Sequence, residues 1–574
     1  MSRMRIVLAV LMLAAIVGVV PSQAQTVKVM IAGSSALWQA LGVGAFNNGN
    51  CPSGGTAPCS HYTNSSFNLV DTRPTIKGGS AATDVNAIWI VWDSAATPNV
   101  WAYIKVDSVV GNRCYFARPH CTVSVSSFPG AGNLISAAIW GADSMPPVSI
   151  QSLFTGGGVL VNVGATDIRP EDAMFAQCRV NSQLGGGTDG LAGLGYGTNA
   201  SGACPGSGAS LAQLVGSDLL SGYPGSASTA HPLAFNISGK DPFSGTTIPK
   251  YTTVSVGAAP IVFVINRQGA LANVTNATDA QLQTAFSGTT CKGNVFAGGT
   301  SGNIQVYLRE PLSGTMNTTE ATVFRYPDVS GVSQETGIGG GNPVAALACG
   351  SGGSRFRSIG SGEEVKFVLN SNANFATDGI GYTFFSYGNV SSIANNANYG
   401  YVTLNGVDPI FHKYGTTIDP GQPATAGALP NAATLPGSCA GAFPCPEGSI
   451  WSGHLSFPNL RNGSYRAWSL IRLVSDGAGL TNAKTLVATA QASAVNITPD
   501  FVPAVKVGTI DPGLPLLRSH YTQQGVAPVN VATSGDKGGD MGGCILTSTG
   551  VVATSDTTTK LAQAAPGTSC VSVP

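Results

Sequence analysis

In the stretch "VYLREPLSGT", Arg309 stands four residues ahead of Ser313-Gly314-Thr315, where an apolar β-type run gives way to a helix-permissive one. An arginine presents a planar fork of donors that matches a tetrahedral oxyanion. Small residues at a strand-to-helix turn add unpaired backbone N–H groups and the positive end of a helix dipole. Two further turns have the same character. "AGSSALWQ" places Ser34, Ser35 and Ala36 after a strand, and "VGATDIRP" places Asp167 after another. Each has a bland alternative: the serines cap a helix, the aspartate fixes a turn, the arginine forms a surface ion pair. Three such turns (33–36, 165–168 and 309–315) in one chain favour convergence on a single anion.

The elements that must position these residues alternate strand and helix. "TVKVMIAGSSALWQALGVGAF" (26–46) reads as strand, Gly-Ser-Ser turn and helix, with Val27, Val29 and Ile31 supplying the strand alternation. "GGGVLVNVGATDIRPEDAMFAQCRV" (156–180) repeats the pattern, with Pro170 suited to a first helical position and Glu171 and Asp172 to a first turn. Residues 303–326 repeat it again. The apolar run 251–269 has the composition of a buried parallel strand, and 275–288 that of a helix with an Asn/Thr start and a Gly stop. Residues 87–117, dense in β-branched and aromatic types, read as strand-rich. "DGIGYTFFSYGNV", "YGYVTLNG" and "GSYRAWSLIRLVS" read as further strands, and 415–450 as Pro/Gly/Ala-rich linker. The alternation predicts an α/β fold with open, largely parallel sheets, in which ligands sit beyond the carboxyl ends of strands.

Composition narrows the function. Charged residues make up 10% of the 574 and the net charge is zero, against about 25% charged in ordinary soluble proteins. Without a basic stripe, nucleic-acid binding has no electrostatic footing. The 75 glycines lie among Ser, Thr and Asn, between recurring apolar runs, and so read as turns. The first 24 residues carry two arginines, an apolar run from Ile6 to Val20 and Ser22-Gln23-Ala24, which reads as a signal peptide cut after Ala24. No cysteine marks that point for a lipid anchor, and no other stretch nears the ~20 apolar residues of a membrane span. A periplasmic or secreted protein is expected.

The twelve cysteines fall into neighbouring couples: Cys51 with Cys59, Cys114 with Cys121, Cys178 with Cys204, Cys291 with Cys349, Cys439 with Cys445, and Cys544 with Cys570. In an oxidising compartment an even count favours disulfides, and sequential pairing is the simplest of many connectivities. There is no C-x-x-C and no H-E-x-x-H, the histidines are scattered, and no metal or cofactor is called for.

The blocks "AGSSALWQ", "VGATDIRP", "APIVFVINR", "NATDAQLQTAFSG", "VYLREPLSGT" and "GIGYTFFSY" resemble, in order, those of the periplasmic phosphate-binding proteins of ABC transporters. These belong to the type 2 periplasmic binding protein superfamily. Arg309, Ser313, Gly314 and Thr315 match the most specific block, and the resemblance covers about half of the chain in pieces. It implies a two-lobed fold with inorganic phosphate, or a similar oxyanion, held dehydrated in the cleft between lobes. The ligand set it implies is Ser35, the N–H of Ala36, Asp167, Arg309, Ser313, Gly314 and Thr315. Ala36 stands where the family has an aromatic residue. The family's further serine has no clear match, Ser80 being the nearest. The implied division is a signal peptide (1–24), a first lobe (25–255) with a β-rich insertion near 87–130, and a second lobe (256–430). A linker with strands returning to the first lobe (431–520) and a low-complexity tail (521–574) follow. The implied protein is a monomeric solute-binding protein that serves an ABC-transporter permease, and not an enzyme.

Two other classes compete. An exported serine hydrolase would draw on Ser534-x-x-Lys537, but that pair lies in a glycine-rich tail with no K-T-G partner. An adhesive surface protein on the same scaffold would use the aromatic stretch and the low charge.

Overall fold

The computed structural model describes residues 25–71, 82–168, 251–310, 312–324, 334, 349–358, 360–393, 396–411, 457–461, 464–496, 500–507, 514, 544–547 and 550–553. The first of the expected strand–turn–helix units is present: β1 (Thr26–Ser34) runs through a tight turn into α1 (Trp38–Phe46). β2 (Cys59–Asp71), β3 (Ala82–Asp93) and β4 (Asn99–Val106) follow, then α2 (Ser108–Phe116), β5 (Thr122–Ser124), α3 (Val148–Thr155), β6 (Val159–Leu160) and β7 (Val163–Thr166). The long β8 (Thr252–Asn266) leads to α4 (Asp279–Phe286), β9 (Ile304–Arg309) and α5 (Gly314–Thr319), which continues as a wider turn to Phe324. β10 (Ser354–Ser358), α6 (Gly360–Phe375), β11 (Asp378–Phe384), β12 (Tyr399–Leu404), β13 (Trp468–Ser475), α7 (Gly477–Asn496) and β14 (Val502–Pro503) complete the main body. The protein is α/β, built on one large mixed sheet.

The sheet runs β10-β9-β11-β8-β13-β7-β1-β4-β3-β2-β5-β6, with β12 and β14 also on β8. β8 joins its two halves. Its first part pairs with β13, Pro260 opposite Trp468 and Thr252 opposite Ser475; its second pairs with β11, Ile261 opposite Phe384 and Ile265 opposite Ile380. In the first half β1 lies parallel to both β4 and β7, and in the second β9 lies parallel to β10 and β11. The carboxyl ends of these two parallel groups deliver the residues discussed below.

Three expectations are corrected. The sheet is not largely parallel, and β8 is antiparallel to each of β11, β12, β13 and β14. Its apolar run reports burial on both faces rather than strand direction. Ile261, Phe263 and Ile265 enter one core cluster, while Val262 and Val264 enter another on the opposite face. The strand-rich reading holds for β3 and β4 but fails at 108–116, which is helical. Every residue of α2 is buried, so it shows no polar face, and its valines and aromatics mimic a strand. Third, in "DGIGYTFFSYGNV" the strand stops at Phe384, and Tyr387–Val390 forms a short helix.

The expected caps of α4 are present: Thr278 accepts from the N–H of Gln281 while the Gln281 side chain accepts from that of Thr278, and Gly288 follows in a left-handed conformation. Cys51–Cys59, Cys114–Cys121 and Cys291–Cys349 are disulfide-bonded. The other three proposed pairs each include a cysteine outside the described residues, and the helix expected after Pro170, the linker at 415–450 and Ser534 also lie outside them. Among the described residues no helix is long and apolar enough to cross a membrane, and no group of His, Cys, Asp or Glu forms a metal site.

Candidate functional site

The turn after β1 is locked by its own groups. Ser34 Oγ accepts from the Ala36 N–H at 3.2 Å, and the buried Tyr103 hydroxyl donates to the Ser34 carbonyl at 2.5 Å. The Ala36 donor is thus engaged within the turn. Ser35 is left to face outward, its Oγ 3.0 Å from that of Ser361 at the start of α6. This contact joins the two halves of the sheet.

Asp167 follows β7 directly and is 2% exposed. Its N–H donates to Ser108 Oγ at 3.3 Å, and Ser469 on β13 donates to its carbonyl. Of its carboxylate oxygens, Oδ2 accepts from Thr315 Oγ1 at 3.4 Å, while Oδ1 is buried with no hydrogen-bond partner. The first residue of α5 presses on that oxygen. A Cβ on Gly314 would lie 2.4 Å from Oδ1 and 2.6 Å from Ser108 Oγ, so only glycine permits this approach. Burial pushes the Asp167 carboxyl up to about 6, against the opposing pull of Arg309, Ser34 and Thr315.

Arg309 ends β9 and is 1% exposed. Its Nε and Nη2 donate to Glu310 at 2.8 and 2.7 Å, a bidentate pair. Nη1 reaches Ser361 Oγ at 3.0 Å and Thr315 Oγ1 at 3.4 Å, and Nη2 reaches Asp107 at 3.4 Å. Burial opposes both charges of the Arg309–Glu310 pair, but their mutual attraction wins. It holds the Glu310 carboxyl below the usual range and keeps Arg309 charged. Arg309 is therefore fixed chiefly by Glu310, with Asp107 a second and longer contact, and a single nitrogen, Nη1, turned to hydroxyls.

Six of the seven residues implied by the resemblance meet in one buried cluster through side chains or close packing: Ser35 (through Ser361), Asp167, Arg309, Gly314, Thr315 and, in the same turn, Ser313. Ser313 Oγ accepts from the N–H of Met316, as a helix cap does. The seventh, Ala36, contributes only its engaged N–H. Sequence reasoning missed Asp107, Ser108, Glu310 and Ser361. Ser108 follows a strand parallel to β1 and opens a helix; it lies between the first turn and the aspartate in the chain, where the resemblance left a serine unassigned. It escaped notice because α2 resembles a strand. Ser80 lies outside the described residues. Ser361 sits in "GSGEE", the first turn of α6 just after β10; its Gly-Ser pair resembles that at 33–36, and this signal was visible in the sequence.

The contacts between halves at Thr315–Asp167 and Arg309–Asp107 are both 3.4 Å, near the outer limit of a hydrogen bond. Chemically the cluster offers a fixed guanidinium, four hydroxyls (Ser35, Ser108, Thr315 and Ser361) and one unsatisfied carboxylate oxygen.

No family model matches the chain, and no curated protein matches it. Solved structures do. One described as a phosphate ABC transporter substrate-binding protein from Clostridium perfringens, with bound phosphate, is 18% identical over 43% of this chain and 72% of its own, with a TM-score of 0.25. An ABC-type phosphate transport receptor from Vibrio cholerae is 16% identical over 42% of this chain and 66% of its own (TM-score 0.23). An ancestral soluble variant of the human phosphate-binding protein is 18% identical over 47% and 70% (TM-score 0.25).

Proposed function

We propose that this protein binds inorganic phosphate, or an oxyanion like it, between the two halves of its sheet, as the substrate-binding component for a membrane permease. The supporting observation is Asp167 Oδ1, a buried carboxylate oxygen without a donor, beside an arginine and a ring of hydroxyls. Such an oxygen is costly to leave unpaired. A phosphate that still carries a proton supplies the missing donor, while its other oxygens accept from Arg309 Nη1, Ser35, Ser108, Thr315 and Ser361.

Glu310 holds the arginine without cancelling this role. It takes two of the guanidinium's three nitrogens and sets the direction of the third. In this reading a first lobe (25–255 with strands returning after 431) and a second (256–430) close on the ligand, exchanging the weak 3.4 Å contacts for bonds to the anion. The disulfides agree with an extracytoplasmic setting.

Calorimetric titration of the full chain with phosphate and sulfate, on wild type and Arg309→Ala, tests the reading. Truncating one partner of a buried hydrogen-bonded charge pair costs about 2–5 kcal/mol. The variant should lose phosphate affinity by about two orders of magnitude or more. No heat with phosphate on folded wild type rejects the proposal.

A further inference from the structure

Two carboxylates stand on Arg309, and they come from different parts of the chain. Glu310 is the next residue, so it stays with the arginine however the halves move. Asp107, between β4 and α2, reaches it from the other half, 3.4 Å from Nη2, and its side chain also meets that of Glu310. Glu310 grips the Nε–Nη2 edge of the guanidinium. The remaining edge, Nη1 with the second hydrogen of Nη2, is the pair of donors that a tetrahedral oxyanion would grip. On that edge Ser361 and Thr315 meet Nη1, and Asp107 meets Nη2.

Asp107 also has a second place to go. It is the N-cap residue of α2: its carbonyl accepts from the Gly111 N–H at 2.9 Å and its backbone is extended (φ −81°, ψ 157°), yet its side chain makes no capping hydrogen bond. Aspartate is a preferred N-cap because its carboxylate accepts from the second or third N–H of the helix and suits the positive end of the dipole. A cavity of about 110 Å³ borders Asp107, Ser35 and Ser361, which gives the side chain room to turn and an anion room to follow. On the reading that the cluster holds an oxyanion, we infer that Asp107 is a built-in competitor for it. In the free protein its carboxylate stands on the prong of Arg309 that the anion needs; on binding it turns back to cap α2. The competitor lowers affinity, because the anion must displace a contact and meets a like charge as it does so.

The test titrates the full chain and Asp107→Asn with inorganic phosphate. The amide can still cap α2 but brings no charge to Arg309, so the variant should bind phosphate about tenfold tighter or better, a difference of about 1.4 kcal/mol. A side chain that merely braced Arg309 would give the opposite sign. If Asp107→Asn does not fold, Asp107→Ser, also a capping residue, carries the same comparison. A crystal structure of the wild type with phosphate should show the Asp107 carboxylate within about 3.2 Å of the Val109 or Val110 N–H. Equal or weaker phosphate binding by a folded variant, or Asp107 still on Nη2 with phosphate bound, overturns the inference and leaves the phosphate reading standing. Binding by neither wild type nor variant overturns both.

Discussion

Asp167 takes up its proton at a pH where ordinary aspartates have long lost theirs, because burial pushes its carboxyl up to about 6. Raised above its unfolded value of about 3.9, the group favours the folded free protein most at low pH, and that contribution is lost as pH rises towards 6. In the proposed site, selectivity follows the same titration. Below it the carboxyl donates to any oxyanion, sulfate included; above it the carboxylate only accepts, which admits a protonated phosphate and repels sulfate. The phosphate-to-sulfate affinity ratio should therefore rise by about tenfold or more between roughly pH 5 and pH 8, as a charge-assisted bond and a like-charge repulsion separate the two ligands. Asp167→Asn should flatten that rise, and paired calorimetric titrations across the range read it. An unchanged slope in the variant would reduce Asp167 to a turn residue. Gly314→Ala tests the close approach: its Cβ would fall 2.4 Å from Asp167 Oδ1. Overpacking of this kind costs about 1–3 kcal/mol, and phosphate affinity should drop by about tenfold while the helix survives.

At the level of elements, legibility followed how each segment is buried. β1 with its Gly-Ser-Ser turn, α4 with its capping box, β9 ending in Arg309, and β13 were readable because local pattern and tertiary role agree. α2 was not, since burial all round erased its amphipathic signature. α6 and α7 also went unread. α6 buries Ser361, Glu364 and Ser371 beside Val365 and Val368, so its inner face is largely polar and imitates a loop. α7 is rich in small residues and packs so closely on α1 that a Cβ on Gly44 would lie 2.5 Å from Ala490 Cα. Of the site, the three turns were legible, and a fourth Gly-Ser signal at Ser361 was visible in the sequence; Ser108 and Glu310 were not, because they acquire meaning only once strands are placed side by side.

Glu364 on α6 gives this scale its own prediction. It is fully buried, it contacts Ser358 Oγ, and its Oε1 accepts from the Tyr382 N–H at 2.9 Å. Burial pushes its carboxyl up to about 7. Because the folded value exceeds the unfolded one, its stabilisation is complete below about pH 4.3 and is lost as pH climbs to about 7. Glu364→Gln can donate to Ser358, whose hydroxyl passes on to the Leu308 carbonyl, and should abolish that decline, worth at most roughly 4 kcal/mol. Thermal melts across this range would show wild type falling and the variant level; parallel curves would contradict the assignment. Cys291–Cys349, which spans 58 residues, ties the region before β9 to that before β10. Removing it with paired serines should cost about 2–5 kcal/mol of stability.

For the whole molecule, β8 is the shared element: its first part belongs to the half that carries Asp167 and its second to the half that carries Arg309. Closure about such a connection is a hinge motion, and small-angle scattering should record a smaller radius of gyration when saturating phosphate is added to the free protein. An unchanged profile would count against a hinge. Where the anion sits decides between these outcomes. Arsenate copies the shape and protonation of phosphate and scatters anomalously, so a crystal structure with arsenate locates it without reference to any assumed site. The arsenic peak should lie between the halves, with arsenate oxygens at about 2.6–3.2 Å from Arg309 Nη1 and from the Asp167 carboxylate. A peak elsewhere on the molecule, with that cluster still closed on itself, would contradict the central claim.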